Sequence, residues 1–265
     1  MENRKPIKVL HIDSVGCWFR TEGTACEFPL KIILNGGELI TILCSPGDLE
    51  ALAAGFLASE GIIRTKDEIK ELTLDDGSGI VRIRTAENNA TDGKLLKERF
   101  LTTNCGRGVS FSNSADREIK KKIFSAIHVT QDDVLSLYRR FQKLSDLHRE
   151  TNAAHSAALC DPEEIIVFAE DIGRHNTVDK IIGRCILEEI SPADRILVIS
   201  GRISSEIILK AAEVNIPVLV SKSAPTDRGV DLARKLGITL IGFVYRSGMN
   251  VYAGEERVDV RRLLA

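Results

Sequence analysis

The sequence predicts an α/β protein whose second half is a mostly parallel sheet flanked by helices, and three short apolar runs carry that expectation. Ile165 to Ala169, Ile196 to Ile199 and Val218 to Val220 are continuous aliphatic segments, the pattern of strands buried on both faces. Each ends in a polar loop bearing glycine or proline, and a helical pattern follows each loop. The loops are Glu170-Asp171-Ile172-Gly173-Arg174-His175-Asn176, Ser200-Gly201-Arg202 and Ser221-Lys222-Ser223-Ala224-Pro225-Thr226. Sheets of this kind bind ligands at the carboxyl ends of their strands. All three loops fall there. Arg174, His175, Arg202 and Lys222 then join backbone amides at helix starts, a combination suited to phosphate or another anion.

The first half is organised differently. Residues 1–8 are polar and lack the apolar core of a secretory signal, and no apolar run approaches membrane-spanning length. A cytoplasmic protein without a membrane partner is expected. The formal charge of -2 gives no global attraction to nucleic acid. Phe28 to Leu34 and Glu38 to Leu43 read as a hairpin through Asn35-Gly36-Gly37, where glycine supplies positive backbone angles. A helix follows, with Ser45 as its cap, Pro46 at its first position, Asp48 completing a capping-box-like pattern and Gly61 at its exit. Leu49, Leu52, Ala53, Phe56 and Leu57 fall on one face of it, as packed core.

Leu72 to Leu74 and Ile80 to Arg84 read as a second hairpin. From Thr85 to Ser114 the chain is polar or lacks sustained periodicity, which marks a long loop or domain connection. A helix is predicted over 131–147, with Val134, Leu137, Tyr138, Phe141 and Leu144 on one side. Two units result, an α+β domain over 1–114 and an α/β domain over 115–265.

Six cysteines are scattered without a Cys-x-x-Cys pair or a Cys/His cluster of zinc-site spacing. Cys44 ends an aliphatic strand and Cys185 sits on the apolar stripe of a helix, so both read as small core residues. Cys17, Cys26 and Cys160 have no reactive context. Cys105 lies in the long connection between Asn104 and Gly106-Arg107-Gly108. Small neighbours leave its thiol accessible and Arg107 favours the thiolate, yet on spacing alone an incidental loop cysteine is the simpler reading. Other residues have equally plain readings. Glu170 and Asp171 could cap a helix beginning near Asn176, Asp179 and Lys180 could form a solvated helix face, His155 could be a structural histidine, and Phe243 to Gly248 could be a turn.

The block Glu170 to Asn176, with Asp179-Lys180, Ser200-Gly201-Arg202, Ser204, Glu206, Lys210-Ala211, Ser221, Ser223 to Thr226, Gly242-Phe243, Arg246, Asn250 and Tyr252, forms a recognisable set. Pro46, Asp48-Leu49, Gly55-Phe56-Leu57 and Glu60-Gly61 extend it into the first half. Together these residues resemble the FdhD/NarQ family of formate dehydrogenase accessory sulfurtransferases over nearly the whole chain. The resemblance implies a cytidine-deaminase-like, three-layer α/β C-terminal domain with a smaller α+β N-terminal domain, assembled as a homodimer. It implies transfer of sulfane sulfur from a cysteine desulfurase to the bis-molybdopterin guanine dinucleotide cofactor that formate dehydrogenase requires.

By the same resemblance, Cys105 matches the first cysteine of the family's Cys-x-x-Cys loop and is the implied persulfide carrier; the second matches Gly108. The implied cofactor contacts are His155, Asp171, Arg174, His175, Gly201, Arg202, Ser221, Lys222 and Ser223. Phe243, Val244, Tyr245, Arg246, Ser247 and Gly248 complete the set, with Arg246 reaching phosphate and Phe243 near a ring. GDP is expected to bind as a partial analogue. A further departure is Thr151-Asn152-Ala153-Ala154-His155, where the family has two glycines before the histidine; Asn152 and Ala153 would narrow that part of the pocket.

The implied fold raises zinc deamination as a rival. That chemistry needs His-x-Glu or Cys-x-Glu and Pro-Cys-x-x-Cys segments. Neither is present: His155 is followed by Ser156-Ala157, and no cysteine follows a proline. Zinc is not expected. An alternative of another class is a non-catalytic chaperone that binds the molybdenum cofactor for formate dehydrogenase, and Gly108 favours it.

Overall fold

The computed structural model describes residues 2–86, 100–101, 109–110, 122–245 and 247–260. It opens with a two-stranded ribbon, β1 (Arg4–Ile12) and β2 (Cys17–Ala25), paired antiparallel from Arg4 opposite Ala25 to Ile12 opposite Cys17. The sequence reading passes over this ribbon. Charged residues interrupt the alternation on both strands, so no one-sided apolar pattern stands out.

The first expected hairpin is present as β3 (Phe28–Leu34) and β4 (Gly37–Cys44). Its turn closes on Asn35 and Gly36 with φ of 50° and 85°, the positive angles a two-residue hairpin turn requires. The second is β5 (Ile69–Asp75) with β6 (Ile80–Thr85), and the four strands form one sheet in the order β4-β3-β6-β5. Between the hairpins, α1 (Leu49–Ser59) starts later than expected. Asp48 is its N-cap residue, and Ser45 does not cap it. Its exit is as expected: Gly61 adopts φ of 74°, its N–H donates to Ala58, and the Ile62 N–H donates to Leu57, closing the last turn.

A short pair, β7 (Phe100–Leu101) with β8 (Val109–Ser110), precedes β9 (Val129–Thr130) and α2 (Gln131–Leu144). The Thr130 hydroxyl accepts from the Asp133 N–H at 3.1 Å and the Asp133 carboxylate accepts from the Thr130 N–H at 2.8 Å, a reciprocal cap. The helix expected to reach residue 147 breaks at Ser145, and a separate turn of helix, α3 (Asp146–Thr151), follows.

The main sheet contains β10 (His155–Cys160), β11 (Ile165–Asp171), β12 (Ile196–Ile199), β13 (Val218–Ser221), β14 (Thr239–Tyr245) and β15 (Gly248–Ala253), in the order β11-β10-β12-β13-β14-β15. This corrects the mostly parallel expectation. Only β12 with β13 and β13 with β14 pair in parallel, whereas β10 and β15 run antiparallel to their neighbours. Because β11 to β14 still point one way, their carboxyl ends share an edge with the starts of β10 and β15. A final short strand, β16 (Val258–Asp259), pairs with β9.

The helices that follow the strands are α4 (Arg174–Leu187), α5 (Ser205–Glu213) and α6 (Asp227–Leu236). Alternate sheet residues serve opposite faces. Ala157, Leu159, Leu197, Ile199, Leu219 and Leu240 pack with α4, α5 and α6, while Ala158, Cys160, Val198, Val220, Ile241 and Val244 pack with α2. Three layers result. The first of these cores also contains Leu30, Ile32, Val81, Ile83, Leu52 and Leu57, so the four-stranded sheet and α1 share it.

Two glycines make that sharing possible. A Cβ added at Gly55 of α1 would stand 1.7 Å from the Asp179 carbonyl oxygen, and one at Gly183 of α4 would stand 1.8 Å from that of Ala51. The helices cross backbone to backbone. Of the described helices, none is long and apolar enough to cross a membrane. The boundary expected at 114/115 lies outside the described residues.

Candidate functional site

The carboxyl edge of the six-stranded sheet gathers most of the residues singled out from sequence. β10 starts there with His155, α4 starts there with Arg174, and the loop after β12 supplies Gly201. These three touch: a Cβ at Gly201 would lie 3.3 Å from Cβ of Arg174 and 3.4 Å from Nδ1 of His155. His155 Nδ1 also lies 3.3 Å from the Ser200 hydroxyl, whose oxygen accepts from the Ser156 N–H at 3.0 Å. Burial lowers the His155 pKa below its ordinary value of 6.5, and the positive charge of Arg174, with His148 and His175 nearby, lowers it further against the opposing Asp171. The ring is therefore a neutral donor and acceptor at neutral pH.

His175 is buried one residue further along α4, with Nε2 2.9 Å from Glu206 Oε2. Its pKa is also lowered, by burial first, while the contact with Glu206 opposes the shift.

Beneath the edge lies a saturated carboxylate. Asp171 is fully buried; Oδ2 accepts from Lys180 Nζ at 2.7 Å and from the Ser45 N–H at 2.9 Å. Oδ1 accepts from the Gly173 N–H and from Asn176 Nδ2, both at 2.8 Å. The Ser45 hydroxyl in turn accepts from the Ile172 N–H at 3.1 Å. The loop that presents Arg174 and His175 is thus fastened to the end of β4. Lys180 also donates to the Glu170 carbonyl at 3.1 Å.

Three plain sequence readings are corrected by this arrangement. Asp179 and Lys180 do not form a solvated face: both are buried, and Asp179 is paired with Lys210 at 2.7 and 2.9 Å. Glu170 caps α3 rather than α4, accepting from the Leu147 and His148 N–H groups at 3.0 and 3.3 Å. α4 begins at Arg174, not near Asn176, so Asp171 fixes the entering loop instead of capping.

On the other side of Gly201, hydroxyls close two loops on each other. Ser221 donates to the Gly201 carbonyl at 2.7 Å and accepts from the Ser223 N–H at 3.0 Å, while the Ser223 hydroxyl donates to the Ser200 carbonyl at 3.2 Å. Arg202 and Lys222 stand exposed on these loops. At the end of β14, Phe243 holds φ of 50° and its ring lies 6.2 Å from that of Tyr245 at 28°, both exposed. Val244 points the other way into the α2 core. Ser247 is exposed and Gly248 begins β15. Cys105, Arg107, Gly108 and Arg246 lie outside the described residues.

Sequence reasoning placed Ser200 in a strand-end loop but missed Ser45 as part of this edge and read it as a helix cap instead. His148, also missed, lies close enough to bias His155. Among the other cysteines, burial pushes the thiols of Cys44, Cys160 and Cys185 up to about 12, so none is a thiolate at neutral pH. No group of three or more His, Cys, Asp or Glu side chains that could hold a metal occurs among the described residues. The edge can hold an anion beside guanidinium and ammonium groups and can face a planar ring with exposed aromatics.

Residues 25–259 match the family model described as FdhD/NarQ family. The chain is 42% identical over 232 residues to the protein named Sulfur carrier protein FdhD of Bacillus subtilis (strain 168), covering 88% of each chain. It is 40% identical over 238 residues to that of Staphylococcus aureus (strain MRSA252), covering 90% of each. A crystal structure described as that of a formate dehydrogenase accessory protein from Desulfotalea psychrophila superposes with a TM-score of 0.79 at 25% identity, covering 97% of this chain and 100% of the other. With a matched segment that takes in the four-stranded sheet, the six-stranded sheet and its carboxyl edge, the chain belongs to the FdhD/NarQ family.

Proposed function

We propose that this protein carries sulfane sulfur from a cysteine desulfurase to the bis-molybdopterin guanine dinucleotide cofactor of a formate dehydrogenase. Cys105 is the carrying thiol, and the carboxyl edge of the six-stranded sheet is the seat of the client cofactor. The observation that carries this reading is the edge itself. His155, Arg174 and Gly201 touch where Arg202 and Lys222 stand exposed and Phe243 and Tyr245 present a stacked pair of rings. Relatives named sulfur carrier proteins, and a fold neighbour described as a formate dehydrogenase accessory protein, point the same way.

Phosphate groups suit the cationic side chains. A guanine ring suits the exposed aromatics, and glycine at 201 leaves room for the Arg174 and His155 side chains to close on the backbone there. Neutral His155 can orient a polar ligand atom without adding charge.

In the carrier step the Cys105 thiolate attacks the outer sulfur of the desulfurase persulfide. The donor's S–S bond breaks, its cysteine leaves as a thiolate, and a new S–S bond forms on Cys105 without net oxidation. Gly108 at the place of a second loop cysteine favours one competing reading, a cofactor-binding chaperone that moves no sulfur.

Mass spectrometry after incubation with a desulfurase and cysteine separates the two. One added sulfur is expected on the Cys105 peptide and none in Cys105→Ser, while calorimetry detects GDP binding in both proteins. GDP binding without any label, together with full formate dehydrogenase maturation by Cys105→Ser, selects the chaperone. No GDP binding at millimolar ligand removes the edge assignment.

A further inference from the structure

A buried polar seam runs inward from the carboxyl edge between α4 and α5. His175 and Asp179 stand one turn apart on α4, and Glu206 and Lys210 one turn apart on α5. Each residue of one helix meets its counterpart on the other. His175 Nε2 lies 2.9 Å from Glu206 Oε2, and Lys210 Nζ donates to the Asp179 carboxylate at 2.7 and 2.9 Å. At the end of α1, Lys210 also donates to the Ser59 hydroxyl at 2.7 Å, with Glu60 Oε1 4.0 Å away. Lys210 is thereby committed to Asp179, and Glu206 is the carboxylate that faces the buried imidazole.

The outer end of the seam belongs to the edge itself. Glu206 and Lys210 act on the His175 ring from α5, and Arg174 acts on it from its own helix. From β10, His155 is close enough for the two histidines to sense each other's charge. Burial, Lys210 and Arg174 outweigh Glu206 and leave the His175 ring neutral at neutral pH. An anion beside Arg174 offsets those cations and so favours a proton on the ring. The two histidines differ in what could then hold that proton. His155 rests on the Ser200 hydroxyl, and the Asp171 carboxylate that acts on it already accepts from Lys180, Ser45, Gly173 and Asn176. His175 has a carboxylate at hydrogen-bond distance.

We propose that anion binding at the carboxyl edge draws one proton from solvent onto His175, where Glu206 holds the imidazolium as an ion pair. This coupling rests on the edge being the seat of the client's phosphates. It makes Glu206 a positioning residue that sets how binding there varies with pH.

Calorimetry of the full chain with GDP-mannose tests the coupling, since the diester phosphates of that probe carry no proton that titrates near neutrality. Titrations in buffers of different ionisation enthalpy are expected to show net proton uptake on binding. Affinity is expected to rise roughly threefold or more from about pH 8 to about pH 6, because the ring is neutral without ligand and protonated with it in that window. Glu206→Gln is expected to lose both the uptake and the pH dependence. Nitrogen NMR of the histidine rings reads the same event in the wild-type chain. The His175 signal, identified by its loss in His175→Gln, moves to the imidazolium position as the probe saturates. Binding without proton uptake, uptake unchanged in Glu206→Gln, or a His175 ring that stays neutral at saturation overturns the coupling and leaves the anion seat in place. No binding at any pH removes the seat, and the coupling with it.

Discussion

Lys180 is fully buried, with its ammonium 2.7 Å from a carboxylate that no solvent reaches. Removing one member of such a pair leaves the other charge uncompensated, which costs about 3–5 kcal/mol. Lys180→Met is therefore expected to lower the unfolding free energy in urea by about that amount. Adding Asp171→Asn recovers part of the loss by removing the orphaned charge, and a loss below about 1 kcal/mol in the single variant argues against the buried pair. The sequence marks Asp171 and Lys180 as special through their motif but not as partners. The partner that completes the arrangement, Ser45, is 126 residues from Asp171, and nothing local to Ser45 distinguishes it from a helix cap. The edge residues Arg174 and Gly201 were legible for a simpler reason: they lie in loops at strand ends, where a sheet exposes its backbone, whereas His155 stood out only through the family resemblance.

At the scale of elements, hairpins were legible because their turns need positive angles that asparagine and glycine supply, as Asn35 and Gly36 do. Strand direction was not. An aliphatic run buried on both faces looks the same whichever way its neighbour points, so the antiparallel β10 and β15 had no signature. Gly55 was legible as part of a motif, but its reason is tertiary. A Cβ there meets the Asp179 backbone, which has no rotamer to yield, so α1 and α4 would have to separate. Overpacking in a core ordinarily costs about 1–3 kcal/mol, and Gly55→Ala is expected at or above the upper end. Gly37→Ala serves as the control. Its nearest atom is 3.7 Å away, and a change within about 1 kcal/mol is expected in the same urea titration. Equal midpoints for the two variants would contradict a backbone-to-backbone crossing.

At the scale of the whole molecule, length and composition fit one large or two modest domains, and one buried cluster runs from β3 and β6 through α1 and α4 to β12, β13 and β14. Such continuity has an energetic consequence. A unit that cannot lose α1 without exposing the apolar face of α4 and the sheet beneath it should open together with that sheet. Hydrogen exchange measured against denaturant tests this. Amides of Leu30 and Ile32 in β3 and of Val198 and Val220 in β12 and β13 are expected to exchange with opening free energies that agree within about 1 kcal/mol. Gly55→Ala should lower both sets by equal amounts, since the crossing it disturbs belongs to both. If the β3 amides exchange at a markedly lower free energy, or respond to Gly55→Ala while those of β12 and β13 do not, the four-stranded sheet opens independently. The carboxyl edge would then be held by the six-stranded sheet without support from the rest of the core.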